Sequence, residues 1–313
     1  MDLSQAVRDA KPNDTLKIPA GRYTVNLEIT KPVTLLAMGQ VVLDGVHSGS
    51  VLRVTATNGL VRLSGLTLVG GTAPEAGGAV CVLDGAAVEM TDCTLRFNKA
   101  PQYGGGALYV RDGKVKASRC RFEANTGRQG GAILVDGLGE LKLEDSTVIQ
   151  NAAVEGGGIK VKEAGKLEIL GCTIADNKVV GDGAAGGALH TGATTTRIPV
   201  ITISNSIISE RVEGPACIFN SAKLPSTLTV RKSLLPKWCQ SIGGDNQFAD
   251  PAFVMTGSEP YLLTEKSPAV GAGDTAAFTP TSKDVAGRSR LRKGSVDLGA
   301  FAFVAGGSSN LPY

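Results

Sequence analysis

Aromatic residues are scarce in this chain of 313 residues: they make up 4%, with a single tryptophan. Wide cores are filled largely by such side chains, so an interior made of small aliphatics has to be narrow. Only two histidines occur, His47 and His190, too far apart in the repeat for a multi-histidine metal site. No apolar run approaches the ~20 residues needed to cross a bilayer as a helix. The opening Met1-Asp2-Leu3-Ser4 is not a signal peptide, which keeps a cytoplasmic location open. Net charge is +3, with no basic block and no aromatic-interleaved stretch, so nucleic acid is not an expected partner. Long runs of 3.6-residue period, a Gly-x-Ser-x-Gly elbow, a P-loop and a dinucleotide fingerprint are missing as well.

Glycine is what the chain has in plenty, 41 residues, and much of it is periodic. Four times a small residue leads to an asparagine, a short polar loop follows, and the chain restarts on paired glycines. The asparagines are Asn98, Asn125, Asn151 and Asn177, spaced 27, 26 and 26 residues apart. The restarts are Gly105-Gly106, Gly130-Gly131, Gly156-Gly157 and Gly186-Gly187. Between these marks apolar residues alternate by two: Val80 and Val82, Val115 and Ala117, Leu141 and Leu143, Ile159 and Val161, Leu167 and Ile169. Period two means strands with one face inward. A unit this short cannot bury that face alone, so the units stack.

The reading is an all-β, single-stranded right-handed parallel β-helix of roughly nine coils, with about three short strands per coil. Leu66, Cys93, Cys120, Ser146, Cys172, Ser206 and Ser233 form one inward column. Its one long step places a loop insertion at 181–196. Stacked asparagine amides would satisfy one another and the turn backbone, a structural role. The outward Thr94, Thr147 and Thr173 read as ordinary strand surface. The chain is expected to be a single domain: a capping helix within 1–12, coils over 13–248, and an irregular cap and tail over 249–313, folding back along or over the last rung. Residues 306–309 read as a flexible tail. The six cysteines read mostly as free buried thiols, because parallel side chains one rung apart strain a bridge.

The glycine-paired, asparagine-closed repeats resemble the pectin-lyase-like right-handed β-helix superfamily. The segment from Asp250-Pro251 to Val296-Asp297-Leu298-Gly299-Ala300-Phe301 is similar to the end of bacterial β-helix proteins labelled "choice-of-anchor Q". Members of that group are commonly secreted or surface proteins, so the resemblance implies an extracellular or cell-surface location. Polygalacturonases of the fold carry Gly-His-Gly and Arg-Ile-Lys segments; neither is present here.

Chemistry is expected on the outward positions after each glycine pair. One column reads Cys81, Tyr109, Leu134, Lys160, His190 and its neighbour Leu83, Arg111, Asp136, Lys162; the loops add Tyr103, Arg128, Glu155 and Asp182. Lys160, His190 and Tyr109 are the candidate proton-transfer residues. Arg111, Asp136, Lys162, Glu155 and Arg128 are the candidate substrate contacts, with cations suited to a carboxylate. Such a set suits a lyase or hydrolase of acidic polysaccharides. A non-catalytic surface rod and a small-molecule isomerase or cyclase beside the insertion stay open, as do the oligomeric state and whether the protein is an enzyme at all. No cofactor is expected. Calcium at Asp274, Asp284 and Asp297 is the lesser reading, since acids beside glycine turns commonly cap their own backbone.

Overall fold

A computed structural model describes residues 2–181, 185–193, 197–210, 217–221, 225–240, 242–254 and 260–305. Asp182, the 194–196 part of the insertion and the 306–309 tail lie outside the described residues.

The chain starts with helix α1 (Leu3–Asp9), whose N-cap Asp2 accepts from Gln5 N at 2.9 Å. Leu3 and Val7 close the first rung from above. Lys31 Nζ donates to the carbonyls of Arg8 and Ala10 at 2.7 and 2.6 Å, holding the helix C-terminus.

Below the helix the chain winds as the alternation demands. A long sheet has two arms. The first stacks Ala87–Thr91, Lys114–Ser118, Glu140–Glu144, Lys166–Leu170, Val200–Ser204 and Thr227–Arg231; the second stacks Thr94–Arg96, Arg121–Glu123, Thr147–Ile149, Thr173–Ala175, Ile207–Ser209 and Leu234–Leu235. Leu60–Val69 runs through both. A second sheet stacks eight strands, from Leu27–Ile29 to Ile218–Asn220, and a third is made of four short ones beginning at Lys99–Gly104. Every pair within these sheets is parallel; Phe253–Val254 with Leu262–Leu263 is antiparallel. Eight strands make seven complete turns from first to last, fewer than the nine coils expected. After Leu234–Leu235 the chain cuts across the 3-10 turn Lys237–Cys239 to Gln247–Phe248, and among the described residues no further strand joins the second sheet.

Three corners per rung use left-handed backbone at residues other than glycine. One column holds Asp92, Arg119, Asp145, Asn205 and Lys232 with Gly171 among them; a second holds Phe97, Ala124, Gln150 and Asp176, just before the asparagines; a third holds Asp84, Asp112 and Glu163 with Gly137 among them. A β-carbon in that region costs about 1 kcal/mol or more. Ala124, the smallest side chain in these columns, sits at φ +52°. Ala124→Gly is therefore expected to stabilise the fold by about 0.5 kcal/mol after the added freedom of the unfolded chain is subtracted. A urea midpoint that falls instead would contradict it.

Each asparagine side chain reaches the next rung. Asn98, Asn125 and Asn151 donate from Nδ2 to the following Oδ1 at 3.1, 3.0 and 2.9 Å. Their backbone N–H groups share the same acceptors at 3.0, 2.9 and 3.1 Å. The small column works alike at its serines: Cys120 N donates to Ser146 Oγ at 2.9 Å.

Two expectations need correction. Thr147 and Thr173 are fully buried, because the C-terminal cap folds back along the side of the second arm. Tyr261 and Phe301 pack on Ile149 and Ala175, Leu298 packs on Ile207 and Leu234, and Ala300 N donates to Thr173 Oγ1 at 2.9 Å. Cys81, Cys93, Cys120 and Cys172 are free and buried, whereas Cys217 and Cys239 form a disulfide. That bridge joins the last strand of the second sheet to the 3-10 turn, a pairing that no rung spacing signals.

Candidate functional site

The second sheet's outward columns register as the spacing requires. Cys81, Tyr109, Leu134, Lys160, His190 and Phe219 are consecutive partners, and Arg111 pairs beside Asp136 in the adjacent column. Outward, however, does not mean solvent here. Tyr109, Lys160 and His190 are only 5%, 5% and 9% exposed, and Leu134 is fully buried. The expected open polar face is roofed.

The glycine pairs explain the roof. Gly130 sits at φ +67°, where a β-carbon would lie 2.0 Å from the Ile133 carbonyl oxygen. At Gly131 it would lie 2.0 Å from the Gly157 oxygen on the next rung. Only hydrogen fits, so the backbone folds tightly from the third sheet into the second and the loop side chains lie across the outward columns. Ala76 and Leu83 join Cys81, Tyr109 and Leu134 in a small apolar cluster outside the main core.

Leu134 separates two polar groups. In the first, Lys160 Nζ donates to Glu155 Oε2 at 2.9 Å and bonds His190 Nδ1. Gln129 Nε2 reaches the same Glu155 oxygen at 3.2 Å, leaving Gln129 Oε1 buried without a partner. The Phe219 ring lies 4.8 Å from that of His190. Burial draws the Lys160 ammonium below its ordinary value, against the pull of Glu155. Burial and then Lys160 push the imidazolium of His190 down to about 4, so the ring is neutral at pH 7. Burial works against the Glu155 carboxylate, but the bond and charge of Lys160, with His190 and Gln129, together outweigh it and its value falls. A ring whose Nδ1 accepts from an ammonium carries its proton on Nε2, the tautomer assigned from this hydrogen bond.

The second group centres on Asp136. Its Oδ2 accepts from the hydroxyls of Tyr103 and Tyr109 at 2.9 and 3.2 Å and lies 3.4 Å from Lys162 Nζ. Lys162 also bonds the Tyr103 hydroxyl and stands 4.3 Å above that ring. Burial, then Asp136, raises the Tyr109 phenol far above its ordinary range, so it stays protonated and can only donate.

The remaining candidates sit apart. Arg111 is largely in solvent at the rim, its Nε 3.6 Å from Asp112. Arg128 is exposed, and only its backbone carbonyl joins the neighbourhood, accepting from Val154 N and Glu155 N at 3.1 and 3.3 Å. Phe219 and Gln129 escape a sequence reading. Phe219 stands 29 residues after His190, off the step of 26 or 27 residues that marks the repeat, and Gln129 precedes the glycine pair instead of following it. The tail acids are occupied from within. Asp284 accepts from the backbone of Ala286, Arg288 and Ala302 and from the Arg288 side chain; Asp297 accepts from Gly271, Phe303 and Arg292; Asp274 caps Ala276. Among the described residues no group of three or more His, Cys, Asp or Glu converges on one point.

An open groove of about 680 Å³ lies on a different face, along the first arm of the long sheet. Lys114, Lys116, Lys142 and Lys166 line it with Glu89, Glu140 and Glu168. Ion pairs such as Lys142–Glu168 at 3.0 Å and Lys166–Glu140 at 3.1 Å tie its charges together across rungs.

A coil of parallel strands closing on stacked asparagines defines a β-solenoid. Residues 52–235 match the family described as "Right handed beta helix region", and the chain belongs to that family. Among solved structures it is similar to one titled "Crystal structure of pectate lyase Pel9A", with 12% identity over 97% of this chain and 91% of that one and a TM-score of 0.44. Another is titled "a new PL6 alginate lyase complex with trisaccharide", with 12% identity, 92% and 91% coverage and a TM-score of 0.30. Neither overlap is close enough to transfer a residue or a substrate. No curated protein matches the sequence. No helix among the described residues is long and apolar enough to cross a membrane.

Proposed function

We propose that the protein is an extracellular carbohydrate-interacting β-helix protein whose second-sheet cluster acts on an acidic saccharide. The observation that carries this reading is Lys160: a lysine 5% exposed, held between Glu155 and a neutral imidazole, with its proton affinity lowered. Burial favours the neutral amine more than water does, and an amine in that form can take and return a proton. In an elimination, Lys160 in its neutral amine form would remove the proton beside the sugar carboxylate and become the ammonium, while Lys162 neutralises the developing enolate. Tyr109, protonated and fixed on Asp136, would donate to the leaving oxygen. His190, with its proton on Nε2, orients Lys160. Arg111 and Arg128, both exposed, would meet the chain of the polymer at the rim. Tyr103, at 37% exposure, stands between solvent and the Asp136–Lys162 pair and would swing aside on binding.

The direct test is incubation with polygalacturonate, alginate and glycosaminoglycan preparations, following the absorbance of unsaturated sugar ends. Turnover is expected with at least one, and Lys160→Ala is expected to lower it about 100-fold. Absence of turnover and of binding across the panel overturns the reading. A second reading, a non-catalytic rod, draws on the mutual pairing within the cluster: Asp136 already accepts from Tyr103, Tyr109 and the Gly137 N–H and pairs with Lys162, and Glu155 already holds Lys160. Under that reading Lys160→Ala shifts the melting temperature and nothing else.

A further inference from the structure

Beyond Asn177 the asparagine column stops, and Glu210 takes the next place. Asn177 donates to its carboxyl from the backbone and from the side chain, as Asn151 does to Asn177. The fit is incomplete. Glu210 is 7% exposed, and its Oε1 is buried with no hydrogen-bond partner. The carboxyl packs beneath Gly187, where a β-carbon would come within 3.4 Å of Glu210 Cδ. Gly187 opens directly into the strand Leu189–Thr191 that carries His190. The charged group bearing on the site among the described residues is Asp176, like-charged and itself bonded by the Tyr261 hydroxyl at 2.8 Å.

We propose that Glu210 is a proton-dependent latch: in its acid form it closes the asparagine column and holds Gly187, and deprotonation loosens the rung that carries His190. An amide in this place would carry no charge; a carboxylate with an empty buried oxygen, facing Asp176, is disfavoured by both desolvation and repulsion. Burial first, then Asp176, pushes its pKa up to about 9 from the ordinary 4.5, and the two donors from Asn177 do not reverse this. The sign follows. With the folded value raised, the latch is fully set below pH 4.5 and weakens as pH rises, until it is released at about 9. It does not depend on what the His190 cluster binds or transforms.

Hydrogen exchange on the intact protein tests it, read as protection factors in 186–191 from pH 5 to 9. The wild type is expected to lose protection there by up to about tenfold per pH unit, the limit for one linked proton. Glu210→Gln, which keeps an acceptor for Asn177 and never ionises, is expected to give a flat profile with higher protection at pH 8. Residues 52–54, six rungs from the end of the second sheet, serve as control and should not change. A wild-type profile as flat as that of Glu210→Gln overturns the latch, and so does equal loss at 52–54, which would report global alkaline unfolding. Should Glu210→Gln fold poorly, Glu210→Ala read at pH 5 substitutes: it is expected to show the wild type's pH 9 protection already at pH 5, and wild-type protection at pH 5 counts against the proposal.

Discussion

Replacing Arg290 by alanine is expected to cost about 4 kcal/mol of stability, enough to free the C-terminal cap from the coil at room temperature. Arg290 is completely buried between the two. Its Nε donates to Asp145 Oδ1 at 2.7 Å, one Nη donates to the carbonyls of Gly171 and Gly299, and the Phe278 ring lies 5.0 Å from the guanidinium carbon. Burial pushes Asp145 up to about 6 even with that cation beside it. Removing the arginine leaves a buried carboxylate and two carbonyls without donors, the case in which a broken buried pair is most harmful. Gly171 should be nearly as sensitive. It sits at φ +63°, and a β-carbon there would stand 2.3 Å from Arg290 Nη2, so Gly171→Ala strains the backbone and displaces the guanidinium together. Urea unfolding is expected to show a lower midpoint for both variants, with early proteolysis between 260 and 305 in Arg290→Ala. A double change, Arg290→Met with Asp145→Leu, should regain part of the loss, because two apolar groups of similar bulk leave no orphan charge. If Arg290→Ala unfolds like the wild type, the cap is held by its apolar contacts alone.

That clasp also marks where a sequence reading ends. The coil was legible because every rung repeats one backbone path: Val115, Leu141 and Leu167 fall one above another, and a spacing of 26 or 27 residues carries the whole geometry. The columns of the candidate site were legible for the same reason, and Tyr109, Leu134, Lys160 and His190 do stand in file. Their surroundings were not. Period two separates inward from outward but says nothing of what lies over the outward side, and here the glycine corners bring the loops down onto it. The 27-residue step between Asn98 and Asn125 supplies one residue more than its neighbours, and in that coil the strand Lys99–Gly104 pairs with a register shift. That longer segment carries Tyr103 over Asp136 and Lys162. The cap was hidden by distance: Asp145 and Arg290 are separated by 145 residues, and no local pattern joins an acid at a left-handed corner to an arginine in a turn-rich tail. Arg111 was drawn to the site by its column and Arg128 by the loop before the glycine pair, and solvation of a long cationic side chain decided otherwise.

The asparagine column gives the second large effect. Asn125 Oδ1 accepts from both the backbone and the side chain of Asn98, and its Nδ2 donates to Leu95 O at 2.9 Å and to Asn151 Oδ1 at 3.0 Å. Asn125→Ala removes all four bonds at a place with no access for water. The Asn98 backbone N–H loses its acceptor and the Leu95 carbonyl loses its donor, at about 1–3 kcal/mol each. A loss of about 3 kcal/mol in urea unfolding is the expected result. Asn125→Asp separates the contributions. It keeps an acceptor for Asn98 but sets a carboxylate oxygen against the Leu95 carbonyl and Asn151 Oδ1, both acceptors, and buries a charge. Its pKa must therefore rise on folding, and the sign of the linkage predicts that stability falls with increasing pH above about 4. At pH 3, where the neutral acid donates one hydrogen bond as the amide did, Asn125→Asp should be more stable than Asn125→Ala; at pH 8 the order should reverse. A pair of variants that keep the same order at both values would mean that the column serves only to fill space, and that the turns hold their own backbone groups without it.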